Sequence, residues 1–246
     1  LRKSVKHFWR VKNSKGVVII NETDEIRSLI GQLNKYRDAY YNEQNSLISD
    51  YEYDNLYDKL KSLEDKTGIV YSNSPTQSVG YEVKSNLQKV KHNHPMLSLD
   101  KTKSVQDLKD FIGDKLCVMM LKMDGLTVSL RYVDGELVSA ETRGNGEIGE
   151  DVLHTARTFV NIPLTIPVKE ELIVDGEAII DTDTFNKINA KLPDDQEYKN
   201  PRNLVSGSVR QLDAAVAAER GIKFIAWKCV KGFYHNDFIR RLIDLE

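Results

Sequence analysis

The chain has 246 residues, 40% apolar and 29% charged, with a formal net charge of −2; that is enough for one large domain or a medium one with a small satellite, and it gives no general polyanion-binding signature. Its two cysteines, Cys117 and Cys229, exclude a disulfide scaffold and a four-thiolate zinc site. No apolar run approaches the roughly 18–20 residues of a membrane span and the N-terminus has no signal-peptide core, so a cytoplasmic protein with no membrane partner is expected.

In chain order, residues 1–21 mix basic side chains with a strand-like "GVVII" and have no assignable role; the chain opens on Leu1, as a fragment would. Across 24–41, Ile26, Leu29, Ile30, Leu33, Tyr36 and Tyr40 recur at helical spacing behind a Thr23 cap. Ser49 and Glu52 have capping-box spacing, Leu56, Leu60 and Leu63 continue as a core stripe, and Gly68 marks the stop. Residues 22–70 thus predict a small helical domain, followed at 71–91 by a turn-rich linker. Beyond 92, a short helix capped by Ser104 and Asp107 precedes strands at 116–122 and 126–133, and "VDGE" turns the second into a hairpin with 136–143. A helix at 150–159, a strand at 171–180, a helix at 183–191, a helix opened by Asn200 and Pro201, and a strand at 223–230 complete the pattern. Hairpins outnumber strand–helix–parallel-strand units, so the fold class is α+β with antiparallel sheets.

Two stretches invite chemistry. "GNGEIG", 144–149, has the spacing of a dinucleotide-binding loop, with Glu170 where a ribose-binding acid could follow. The strand before it is the second arm of a hairpin and no crossover surrounds it, so a glycine-rich turn is the better reading. Arg143, just ahead of it, is the residue of interest. "LKMDGLTVSL", 121–130, places Lys122 at the end of an apolar strand. An isolated K-x-D-G is usually an edge lysine before a turn. The alternative is a nucleophilic amine, which attacks only when neutral and needs its pKa of roughly 10.4 lowered. Apolar surroundings and neighbouring cations both lower it; Val118, Met119, Met120 and Leu121 are expected to supply the first, arginines the second.

The K-x-D-G at Lys122 resembles the motif of the covalent nucleotidyltransferases: DNA ligases, RNA ligases and capping enzymes. The run "KMDGLTVSLRYVDGELVSAETRGNGEIGEDV", then "VNIPL", "DGEAII" and "NPRNLVSGSVRQLD", with "YYNEQNSLISDYEYD", "SPTQSVG" and "HPMLSLD" upstream, resembles more narrowly the bacterial-type NAD-dependent DNA ligases, in family order over residues 25–230. That resemblance implies a helical domain binding nicotinamide mononucleotide at 22–70 and a nucleotidyltransferase (adenylation) domain at 92–246. It implies that Lys122 attacks the adenylyl phosphorus of NAD to give lysyl-AMP and nicotinamide mononucleotide. AMP would then pass to the 5′-phosphate of nicked double-stranded DNA, with Mg²⁺ as the metal.

By the same likeness, Asp124 orients the amine or holds the ribose, and Glu177 accepts ribose hydroxyls or helps place the metal. Arg143 meets the ribose or phosphate, Trp227 stacks on adenine, and Ser98 and Leu99 line the nucleotide pocket. Asp50, Tyr53 and Asp54 share one helical face and, with Tyr40 and Tyr41, would cage the nicotinamide ring and its ribose. Arg202 and Arg210, about 80° apart on a 201–212 helix, would contact DNA phosphates.

Two positions depart from the family pattern: Met120 stands near adenine where Glu is usual, and Asp175 stands where Arg usually precedes the glycine of "GE". The chain also stops at Glu246, ahead of the family's D-G-V-V-I-K-like strand and its last lysine. Nothing matches an oligonucleotide-binding barrel, a zinc module or helix–hairpin–helix repeats. The adenylation domain is therefore expected to be incomplete at its C-terminus, to adenylylate itself poorly, and to need missing C-terminal domains or a second chain. The alternatives are one subunit of a split ligase, or a non-catalytic descendant that binds NAD or DNA ends.

Overall fold

The computed structural model describes residues 8–13, 16–42, 47–77, 86–97, 100–193, 196–233 and 237–245, with side chains omitted at 8–13, 16–21 and 41–42. Backbone contacts divide the chain into two units, Leu1–Val83 and Lys84–Glu246.

In the first unit an antiparallel hairpin, β1 (Phe8–Asn13) and β2 (Gly16–Asn21), runs directly into α1 (Glu22–Asn42). Thr23 consequently lies inside the helix and is not its cap. The second helix, α2 (Asp50–Thr67), begins with the expected capping box: the Ser49 hydroxyl accepts the Glu52 N–H at 3.2 Å, and the Glu52 carboxylate accepts the Ser49 N–H at 2.9 Å. Gly68 ends it in the left-handed conformation, φ 68°. Glu22 pairs with Lys66 and Glu25 with Lys59, each at 2.6 Å, so the two helices run antiparallel. Their seam buries Ile26, Leu29, Ile30, Leu33 and Leu60, with Tyr53, Leu56, Tyr57 and Leu63 at its edge. Part of the expected linker folds back here: Asn34 donates to the Asn73 carbonyl (2.9 Å) and Thr76 to Glu64 (2.6 Å).

The second unit is built on a four-stranded antiparallel sheet. Its order is β5 (Glu136–Thr142), β4 (Leu126–Val133), β7 (Leu172–Ile179), β8 (Lys223–Lys231). Asp134 and Gly135, at φ 54° and 83°, make the tight β4–β5 turn. Side chains alternate across the sheet. Val128, Leu130 and Tyr132 of β4 and Leu172, Val174 and Ala178 of β7 form the core face. They pack with Val152 and Ala156 at α4 (Leu153–Ala156), Leu204, Val205 and Val209 of α6 (Pro201–Val209), and Ala217 of α7 (Ala214–Ala218). Helices thus cover one face of the sheet, the α+β arrangement expected. The opposite face carries the alternate residues Thr127, Ser129, Asp175 and Glu177. A two-stranded ladder, β3 (Lys89–Lys91) with β6 (Ile148–Glu150), stands beside it, so the end of the expected linker belongs to this unit. The remaining helices are α3 (Val105–Ile112), capped by Ser104 as expected, α5 (Thr182–Asn189) and α8 (Phe238–Ile243).

Three further expectations are corrected. Residues 116–124 form no strand, and Leu116 and Met119 are each 97% exposed. A run of β-prone residues becomes a strand only where a neighbour takes its hydrogen bonds, and among the described residues no strand or isolated bridge pairs with 116–124. The helix expected at 150–159 shrinks to α4: 148–150 is claimed by the ladder with β3, and 157–158 leave the helix as a turn. The helix expected at 201–212 stops at Val209, with Arg210 as its cap. Among the described residues, no helix is long and apolar enough to cross a membrane.

Candidate active site

Gly125 is the pivot on which the site turns. A Cβ there would sit 2.0 Å from the Ala178 carbonyl oxygen, so only glycine lets the chain press this closely against β7. The residues just before the pivot, Lys122 and Asp124, are exposed. Arg202, one residue into α6, reaches Asp124 with an Nη1–Oδ1 distance of 2.8 Å. Helix α6 is aimed by its own start, where the Asn200 side chain accepts the Asn203 N–H and Pro201 fills the first turn.

Glu177 lies in β7 directly opposite Thr127 of β4, whose hydroxyl donates to Glu177 Oε2 at 2.9 Å. Burial pushes the Glu177 pKa up, and this outweighs the opposing pull of the Thr127 hydroxyl, the Arg202 and Lys122 charges and the Gly125 N–H. Four charged groups from distant parts of the sequence, Lys122, Asp124, Glu177 and Arg202, therefore share one corner of the second unit.

Trp227 is placed by an irregularity of the sheet. Asp175 pairs with Lys228 and Gly176 with Ala226, so Trp227 is the extra residue of a β-bulge opposite the "DGE" segment. Bulges re-aim a side chain: Phe224 and Ala226 pack with the core, whereas half-buried Trp227 is not among the core residues. Arg143 ends the other side of the sheet; its N–H donates to the Thr127 carbonyl at 3.1 Å, which ties it to the strand carrying the Glu177 partner.

Other expected residues fall differently. The apolar surroundings expected for Lys122 are not made by 118–121, which are exposed, Met120 included. The charge inversion at Asp175 is met by a partner: His94 Nε2 lies 3.0 Å from its buried carboxylate. Arg210 does not share the surroundings of Arg202. It is nearly buried, and its Nε donates at 2.7 Å to Glu150, which also takes Lys89 at 3.1 Å. Ser98 and Leu99 lie outside the described residues. Among the described residues no three carboxylate, histidine or thiol groups converge on a metal position, so the residues present do not form a protein cage for Mg²⁺.

In the first unit the antiparallel pairing brings the end of α1 beside the start of α2. Tyr40 and the backbone of Tyr41 therefore come to the same end of the hairpin as Asp50, Tyr53 and Asp54. The Tyr41 side chain lies outside what is described. Tyr53 packs on the helical seam and stacks on Tyr57, with ring centroids 6.4 Å apart. Sequence reasoning passes over Thr127, His92 and His94; the H-x-H doublet beside "PMLSLD" marks the two histidines as a feature but names no partner for either.

A lysine, two acids and an arginine at one corner of an antiparallel sheet, with a tryptophan bulged opposite the "DGE" segment, suit transfer of a nucleotide through an amine. Comparison with known proteins agrees on that class. Residues 84–238 match the family model described as NAD-dependent DNA ligase adenylation domain. Residues 20–80 match DNA ligase-like, N-terminal NAD+-binding domain. The DNA ligase of Lachnoclostridium phytofermentans is 52% identical over 214 residues, covering 87% of this chain and 33% of the relative. That of Ruminiclostridium cellulolyticum is 52% identical over 200 residues (81% and 30%), and that of Fusobacterium nucleatum 41% identical over 218 (82% and 31%). The chain belongs to the NAD-dependent DNA ligase family. It spans about a third of the length of these relatives.

Proposed function

We propose that this chain is the adenylylating portion of an NAD-dependent DNA ligase and that Lys122 is its nucleophile. The convergence of Lys122, Asp124, Glu177 and Arg202 carries the reading. The Nζ of Lys122, its ammonium proton lost to water, attacks the adenylyl phosphorus of NAD and releases a second proton to water as the phosphoramidate forms. An N–P bond forms, the pyrophosphate P–O bond breaks, and nicotinamide mononucleotide departs with the electron pair. Asp124 orients the amine and Glu177 accepts the ribose hydroxyls. Arg143 meets the ribose or phosphate, Trp227 stacks on adenine beside Met120, and Ser98 and Leu99 complete the pocket. The helical unit holds the nicotinamide half through Tyr40, Tyr41, Asp50, Tyr53 and Asp54, its carboxylates matching a cationic ring.

The AMP is then handed to the 5′-phosphate of nicked double-stranded DNA. Arg202 and Arg210 are proposed to contact DNA phosphates there, Arg202 by exchanging its bond to Asp124 for one to DNA and the nearly buried Arg210 only by giving up its bond to Glu150. Mg²⁺ is assigned no step, since a phosphate-bound Mg²⁺ needs few protein ligands. The protein is cytoplasmic in this reading, and nick sealing belongs to a longer chain.

Intact-mass spectrometry after incubation with NAD and Mg²⁺ tests the first step. A gain of one adenylyl group on a fraction of the chain is expected, abolished by Lys122→Ala and not produced by ATP. No adduct in a chain extended to the relatives' full length overturns the proposal.

A further inference from the structure

We propose that His92 is a positioning residue of the adenylylation site: its imidazole is the strut that fixes the 143–149 turn and so aims Arg143 at the nucleotide. The inference rests on the reading of Arg143 as a nucleotide contact. His92 follows β3 directly and crosses onto the end of β5. Its N–H donates to the Glu147 carbonyl at 2.8 Å, and four residues later the Met96 N–H donates to the Gly146 carbonyl at 2.9 Å. The ring is almost wholly buried, its side chain 1% exposed. Nδ1 lies 2.9 Å from a Glu141 carboxylate oxygen and Nε2 lies 3.0 Å from the Arg143 carbonyl oxygen.

A carboxylate and a carbonyl only accept, so both bonds form only when both ring nitrogens carry a proton. Burial pulls the His92 pKa down most strongly. The bonds to Glu141 and to the Arg143 carbonyl, with the charges of Glu141 and Asp175, outweigh it and leave the ring above its ordinary value. The turn is shaped to receive the ring. A Cβ on Gly149 would lie 2.6 Å from the His92 ring and 1.8 Å from the Thr142 carbonyl oxygen.

From His92 a continuous path leads to the reacting centre. The Arg143 carbonyl accepts the ring, the Arg143 N–H donates to the Thr127 carbonyl (3.1 Å), and the Thr127 hydroxyl donates to Glu177 (2.9 Å). With both nitrogens engaged and no exposed edge, the ring serves neither as a base nor as a substrate contact. Its action passes through Arg143.

Two amide substitutions separate the two bonds of the ring. His92→Gln keeps a donor near the Nε2 position, facing the Arg143 carbonyl; His92→Asn keeps one near Nδ1, facing Glu141. Each is compared with Arg143→Ala and the His92→Asn/Arg143→Ala double variant, reading AMP affinity by calorimetry and hydrogen exchange of the 143–149 amides. His92→Asn should weaken AMP binding about tenfold, as a lost charge-assisted hydrogen bond does, and should speed exchange in the turn. His92→Gln should retain near wild-type values in both. The double variant should be no weaker than Arg143→Ala alone, because residues acting through one contact are not additive.

Equal losses in the Asn and Gln variants, or an additive double variant, overturn the positioning role and leave a packing residue. Unchanged AMP affinity in Arg143→Ala instead overturns the reading of Arg143, and the inference with it.

Discussion

Glu177 sets two demands of one residue against each other. Its carboxyl is buried on the polar face of the sheet and its pKa stands above the ordinary 4.5, chiefly because burial penalises the charged form. A carboxyl raised on folding contributes stability that is fully present below the unfolded value and is lost as pH rises through the folded one. At neutral pH the ionised group therefore opposes folding. Glu177→Gln should raise Tm at pH 7 and give no such gain at pH 4, while adenylyl-lysine formation is lost; a melting series across that range, with intact mass at pH 7, checks both. A Tm that falls at pH 7 would show that the Thr127 hydrogen bond and the Arg202 charge outweigh burial. Asp175 makes the complementary point about reading residues from sequence. Alone it is a charge inversion two positions from Glu177. Its partner, His94, is 81 residues away, and no local pattern announces a pair that the fold alone brings to 3.0 Å.

At the scale of elements, α2 was readable because everything that defines it is local. Its capping box, apolar stripe and left-handed glycine all fall within twenty residues. Ser49→Ala removes one of the two reciprocal bonds and should cost the first unit about 1 kcal/mol. Because Asp50, Tyr53 and Asp54 follow the cap immediately, fraying there should also weaken binding of nicotinamide mononucleotide. Binding of AMP by the second unit should be unaffected. Calorimetric titration with each nucleotide separates the two; equal weakening of both would contradict the assignment of the nicotinamide half to the helical unit. The strand expected at 116–122 failed for the opposite reason. Strand formation depends on a partner edge, and composition does not say whether one is present. The bulge that re-aims Trp227 was illegible on the same ground, since it exists only in the register of β7 against β8.

Across the whole molecule, apolar exposure is unevenly spread. Val105, Leu108 and Phe111 of α3 and Leu116, Val118, Met119 and Leu121 beyond it are all exposed, and α3 buries none of its residues. Helix α3 has a clear apolar stripe, so its sequence predicts a helix packed on something. Among the described residues nothing covers it. Monomeric proteins seldom leave contiguous apolar surface larger than a few hundred Å² open to water. The chain should therefore bind 8-anilinonaphthalene-1-sulfonate in its native state and associate as concentration rises. Met119→Ser with Leu121→Ser should reduce both effects while moving Tm by no more than about 1 °C, because exposed side chains lose no packing when shortened. Leu204→Ala is the contrasting control: fully buried on α6, it should cost about 2–5 kcal/mol. If the serine pair leaves dye binding unchanged, or lowers Tm as far as Leu204→Ala does, residues 116–121 are packed in solution and the exposed run is not the surface described here.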